Sequence, residues 1–370
     1  MGARYPRSKI RSVAVVFPSR IGNTVQAMPF FRTLRKHLPD ARITLVVKPA
    51  QADLLRRHGT YDELLVFRKN SIGEVLRIAR ILRRRRYDLS IDLGGLLKGA
   101  LITLLSGARR KLGYNYGDSM DGAWVATNQK IPPLRVRNNI DRYLAFTRHL
   151  GAVERDRVFG LDVLPEERER ARRIVRDAGV DLERPIAGLI LDSSRKRKLW
   201  PGEDWIDLAR LLAAEGYQVL LISNHREEVL EGSGVPTGCF DLCEKLNLVT
   251  LPPAFQMCAF VVGSDTGPLH VASASGARTY ALFGPTDHRR YMPLTTGSCV
   301  IQRNRGLGCR RLSRRLPCAR CIFRTRCMSL IRPEEVMAVI RRREPTSRSA
   351  SDVPPAAAAR PTPAGAATTR

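Results

Sequence analysis

Apolar positions along the chain come in short unbroken runs, set between longer stretches where they recur at helical spacing. Val13-Ala-Val-Val-Phe17 is the first such run and predicts a strand buried on both faces; Thr24 to Leu38 predicts the helix after it. Ile43 to Val47, Leu64 to Phe67, Leu89 to Asp92 and Lys111 to Tyr114 read as further strands, with helices over Gly73 to Arg85 and Leu96 to Leu105. The pattern restarts after a charged helix at Pro165 to Ala178. Strands at Ile186 to Leu191, Gln218 to Ile222, Phe260 to Gly263 and Thr279 to Phe283 alternate with helices at Glu203 to Ala214 and Pro268 to Ser275. Such alternation predicts parallel sheets covered on both faces. The expected fold is therefore α/β, with two Rossmann-like doubly wound domains, residues 1–164 and 165–344, facing a cleft at their strand C-termini. From 345 onward the chain is rich in Ala, Pro, Thr and Ser, which predicts a disordered tail.

Length and composition agree with two cores: 370 residues exceed what one core usually supports, and 44% of them are hydrophobic. A formal charge of +28 gives a surface field that attracts polyanions, whether nucleic acid, an anionic membrane face or a phosphorylated acceptor. Nucleic-acid binding is disfavoured because only 6% of residues are aromatic and no stacking platform or helix-turn-helix signature accompanies the basic runs. The start lacks the apolar stretch of a signal peptide, and the most apolar segment, Leu96 to Ala108, is too short to cross a bilayer. A cytoplasmic protein, at most peripheral to the inner face of the membrane, is expected. Its eight cysteines then call for metal binding or burial rather than disulfides.

Chemistry concentrates in the loops that follow strands. Gly263-Ser-Asp-Thr-Gly-Pro-Leu-His270 joins a buried strand to a helix, with Pro268 in the first helical turn and Gly267 leaving room for close approach. Free N–H groups at that helix start, with Asp265 and Thr266, suit the phosphates of a nucleotide-linked substrate. The plainer alternative is a capped turn, with Asp265 as N-cap and His270 satisfied locally. Gly284-Pro-Thr286 ends the next strand with a similar turn, and Ser193, Ser194 and Lys198 follow the strand at Ile186 to Leu191. Hydroxyls and an ammonium at a strand end are what a diphosphate requires.

Taken together, Lys198-Leu-Trp-Pro201, Gly263 to His270 and Leu282-Phe-Gly-Pro-Thr286 resemble the C-terminal half of the ADP-heptose:lipopolysaccharide heptosyltransferases, glycosyltransferase family 9. Tyr87-Asp-Leu-Ser-Ile-Asp92-Leu-Gly-Gly, Lys98 and Gly113-Tyr114 resemble that family's N-terminal half, and Ile21-Gly22 with Pro29 resembles its opening G-D loop. The resemblance implies a GT-B arrangement and an inverting, metal-independent transfer of heptose, or a related sugar, from an ADP-linked donor to a lipopolysaccharide-core or similar lipid-linked acceptor. By position it implies that Ser193, Ser194, Lys198, Asp265, Thr266, Gly267 and His270 form the donor pocket, with Glu227 or Glu228 accepting hydrogen bonds from a ribose.

One position departs from the family. Where the resemblance implies an Asp acting as general base, this chain has Asn23, and an amide does not accept a proton at neutral pH. Asp92, or Asp118 and Asp121 in the following loop, stand as substitute bases; an acceptor that needs little base help and a donor-binding homologue with weak catalysis are the other readings. Cys309, Cys318, Cys321 and Cys327 crowd a basic segment and suit either a structural zinc or free thiols. Cys239, Cys243, Cys258 and Cys299 read as core. No cofactor is required by the predicted chemistry. Arg83-Arg-Arg-Arg86 fits work at an anionic leaflet.

Overall fold

The computed structural model describes residues 10–303 and 326–344, apart from 57, 154–156, 194, 294 and 296. Within them the two predicted sheets form, each with six parallel strands. The first half runs β1 (Ser12–Val16), α1 (Ile21–His37), β2 (Arg42–Val47), α2 (Pro49–Leu55), β3 (Glu63–Val66), α3 (Ile72–Arg85), β4 (Leu89–Asp92), α4 (Leu97–Leu105), β5 (Arg110–Gly113), β6 (Gln129–Lys130) and α5 (Asn139–His149). Its strand order is β3-β2-β1-β4-β5-β6. After α6 (Pro165–Asp177) come β7 (Ile186–Ile190), α7 (Gly202–Ala214), β8 (Gln218–Ile222), α8 (Glu228–Ser233), β9 (Cys239–Asp241) and α9 (Leu251–Gln256). The chain continues through β10 (Phe260–Ser264), α10 (Gly267–Ala274), β11 (Arg278–Phe283), α11 (His288–Tyr291) and β12 (Cys299–Gln302), and a last helix spans Pro333–Arg343. The second order, β12-β11-β10-β7-β8-β9, is the first repeated.

This order decides where a ligand can sit. In each sheet the chain leaves its first strand in one direction and later returns to that strand's other side, so the loops after the two central strands diverge and leave a crevice. The crevices open after β1 and β4 in the first sheet and after β7 and β10 in the second. Central strands such as Val13-Ala-Val-Val16 and Phe260-Val-Val-Gly-Ser264 are buried on both faces, as the unbroken apolar runs require. One apolar cluster passes from Val13, Val15 and Phe30 in the first half to Ile190, Leu269 and Val271 in the second. The last helix lies against α7, where Arg341 pairs with Glu215 and Trp200 Nε1 donates to the Ile331 carbonyl at 2.9 Å. Among the described residues no helix is long and apolar enough to cross a membrane.

Candidate functional site

The crevice of the second sheet is built by two loops. The one after β7 is anchored by Trp200, whose buried ring meets Trp205 edge-on at 4.7 Å, and this fixes the 3-10 turn Lys196–Lys198 just before it. The one after β10 is Asp265 and Thr266, leading into α10. Lys198 reaches across: its Nζ donates to Asp265 Oδ2 at 2.6 Å and to the Asp265 carbonyl at 2.8 Å. On the far side of the same carboxylate, His270 Nε2 lies 3.4 Å from Oδ1. Asp265 is therefore not the cap of α10; Thr266 occupies that position, and neither makes a side-chain cap bond. The capped-turn alternative holds only in part: His270 is satisfied locally by Asp265, but Asp265 is not the N-cap, its carboxylate being engaged by a cation and an imidazole.

Electrostatics follow from this packing. Burial pushes the Asp265 carboxyl upward, but its bond to His270 and the Lys198 ammonium outweigh burial and hold it at about 2. For Lys198, burial wins over its carboxylate partner and the pKa falls below the ordinary lysine value. An ammonium has three protons, and Asp265 takes two of them, leaving one for a ligand. Beside it the buried Thr266 Oγ1 has no partner among the described residues. The spare ammonium proton and the helix start without a side-chain cap are donors of the kind that phosphate oxygens accept from, and the Thr266 hydroxyl lies buried beside them.

Of the remaining expected donor residues, Ser193, Glu227 and Glu228 follow β7 and β8 at the same sheet edge. Ser193 Oγ accepts from the Arg195 N–H at 3.4 Å, whereas Ser194 lies outside the described residues. Beyond β8, Glu227 precedes α8 and accepts from Ser223 Oγ at 2.7 Å, while Glu228 is exposed as the first helical residue. Asp192, which sequence reasoning passed over, is buried beside this group, and burial raises its pKa.

Across the cleft, α1 points its first turn at α10. A Cβ on Gly22 would lie 2.8 Å from His270 Cδ2, and one on Gly267 would lie 3.2 Å from Ile21 Cβ. Asn23 follows on that turn and donates through Nδ2 to Ser19 Oγ at 2.9 Å. Behind it Gln26 Nε2 donates to the Tyr291 carbonyl at 3.1 Å, Asn138 Nδ2 to the Met292 carbonyl at 3.1 Å, and Arg290 Nε to Asn139 Oδ1 at 3.1 Å. None of these cross-cleft partners belongs to a motif, and only the packing of α1 and α5 on the second half reveals them.

The substitute bases are differently placed. Asp92 is 1% exposed; it accepts from the Gly95 N–H at 3.1 Å, and a Cβ on Gly99 would come within 2.9 Å of its Oδ1. Burial raises its pKa to about 7, partly opposed by the N–H groups of Gly95 and Gly94. Asp118 is paired with Arg142 at 3.1 Å, and Asp121 sits in an exposed turn with φ of 52°.

Known proteins bear on this geometry. Glycosyltransferase family 9 (heptosyltransferase) matches residues 75–318. The chain belongs to glycosyltransferase family 9. Among its relatives, lipopolysaccharide heptosyltransferase 2 of Salmonella typhimurium is 26% identical over 311 residues, covering 78% of this chain and 87% of the relative. Lipopolysaccharide heptosyltransferase 3 of Escherichia coli is 23% identical over 288 residues, covering 74% and 83%. In fold, the chain matches a family 9 glycosyl transferase from Veillonella parvula with a TM-score of 0.76 at 19% identity, covering 91% of this chain and 98% of that one. The E. coli ADP-heptose lps heptosyltransferase II gives 0.70 at 22% identity, with 90% and 98% covered. This family 9 member is accordingly a glycosyltransferase with a GT-B-like pair of domains.

The expected metal ligands are only partly in view. Cys309, Cys318 and Cys321 lie outside the described residues. Cys327 is buried beneath the turn at Gly284, where a Cβ would lie 3.1 Å from its Sγ. Cys239, Cys243 and Cys258 are buried as expected, but Cys299 is half-buried, because β12 is an edge strand.

Proposed function

We propose that this family 9 chain transfers a heptose from an ADP-linked donor to the core saccharide of an anionic, lipid-linked acceptor on the cytoplasmic side of a membrane. The observation that carries the reading is the placement of Lys198, Thr266 and the uncapped start of α10 together at the crevice of the second sheet, which we read as a phosphate seat. In the proposed step the acceptor hydroxyl oxygen bonds to the anomeric carbon as the bond to the diphosphate breaks, giving inversion. The leaving ADP takes the electron pair, and Lys198 with the α10 N–H groups neutralises its charge without a metal ion. Glu227 and Asp192, at the ends of β8 and β7, suit hydroxyl groups of the donor ribose.

Asn23 stands on the acceptor side of the seat. Its Nδ2 is committed to Ser19, leaving Oδ1 to accept a hydrogen bond from the acceptor hydroxyl and orient it. The proton then leaves to solvent or to a carboxylate, Asp92 being available only if its turn opens. Purified protein with ADP-heptose and a lipopolysaccharide-core acceptor should form product detectable by mass spectrometry. A silent wild type beside an active Asn23→Asp variant would show instead that the chain binds donor without turning it over.

A further inference from the structure

On the flank of the first half, α4 is apolar on both sides. Ala100, Ile102 and Thr103 face the core and Leu101 packs partly against it, while Leu97, Leu104 and Leu105 share the opposite face. That second face meets solvent: Leu97 is 50% and Leu104 47% exposed. A surface helix that only covers a core carries polar residues there. Helix α4 packs between α3 and the 3-10 turn Ala123–Ala126, and both neighbours extend the feature. Ile72 and Leu76 of α3 are exposed, the former to 67%, and Val125 of the turn to 69%. Next to Val125, the rings of Tyr116 and Trp124 meet edge-on at 5.5 Å, with Lys130 Nζ 5.9 Å from the Trp124 ring.

The charges around this face are predominantly basic. Helix α4 has no acidic residue, and the single acid of α3, Glu74, is bound to Arg77 at 2.7 Å and to the Arg68 N–H. Arg80 and Arg83 continue the exposed row of Ile72 and Leu76, Lys98 stands at the start of α4, and the exposed acid nearby is Asp121 at the edge of the turn. A second copy would oppose one cationic rim with another. Anionic lipid headgroups complement the rim, while leucines enter the acyl boundary and a Tyr–Trp–Lys group sits at headgroup level.

We infer that the face formed by α3, α4 and the Ala123–Ala126 turn docks on an anionic phospholipid bilayer. The inference rests on the lipid-linked acceptor proposed above and places it. Helix α4 leaves the Asp92 turn at the cleft edge of the first sheet, so a saccharide reaches the cleft while its lipid stays in the bilayer.

The test floats the full chain, without donor or acceptor, on vesicles of phosphatidylcholine with or without phosphatidylglycerol. Flotation with the anionic vesicles is expected. The double variants Leu97→Gln/Leu104→Gln and Arg80→Gln/Arg83→Gln should each weaken it on the order of tenfold, while keeping wild-type melting curves and wild-type transfer to a delipidated core saccharide. Equal flotation on neutral vesicles, or undiminished flotation of both variants, overturns the inference. Self-association of the wild type that the leucine variant abolishes in sedimentation velocity assigns the face to a second copy and overturns it too. Because no donor or acceptor is present, flotation is independent of whether ADP-heptose is the substrate.

Discussion

Asp265 and Asp92 are buried aspartates at corresponding strand ends of the two sheets, yet their surroundings move them in opposite directions. Asp265, held at about 2 against an ordinary 3.8, stays ionised in the folded chain while the unfolded chain takes up its proton. Its contribution to stability is complete above pH 4 and is lost as pH falls toward 2. Asp92, raised to about 7, keeps its proton in the folded chain while the unfolded chain releases it, so stability from this site falls as pH rises from about 4 to 7. Urea unfolding across pH should therefore lose its acid-side slope in Asp265→Asn and its mildly acidic slope in Asp92→Asn. Asp265→Asn also leaves Lys198 buried without its carboxylate, a change expected to cost about 3 kcal/mol at neutral pH. Lys198→Ala should lower kcat/KM by roughly 10²–10³-fold by removing a donor to the leaving diphosphate. The loop carrying Asp265 was legible from glycine and proline spacing. Its bond to Lys198 was not, because 67 residues separate the two and no local rule couples them.

Elements with a full period of apolar residues are legible in the sequence, and those without one are not. The interior strands and α1, α3, α4, α7 and α10 fall within a few residues of their predicted bounds. The short β6, β9 and β12 escaped because two to four residues at or near a sheet edge carry too little alternation to register. Helix α5 escaped although its N-cap Asn138 and first residue Asn139 make two of the cross-cleft contacts; it packs mainly against α1. One prediction belongs to this scale. In Gly99→Ala the added methyl group would press on the Asp92 carboxylate beneath α4, so the variant should lose about 1–3 kcal/mol in chemical denaturation, against the gain of about 1 kcal/mol that alanine brings to a helix interior.

For the whole molecule, the two halves are joined by hydrogen bonds from Gln26, Asn138 and Arg290 and by the approach of α1 to α10. A nucleotide filling the phosphate seat binds the folded chain alone. Saturating ADP, at about 100 times its Kd, should add roughly 2.7 kcal/mol to stability, read as a rise in Tm that other nucleoside diphosphates do not match. The contact of Gly22 with His270 bears on speed as well as on binding. With no room for one methyl group between them, any widening of the cleft around a sugar must first part this contact. If that parting limits turnover, it works against the friction of the medium, and kcat falls in proportion as glycerol or sucrose thickens it.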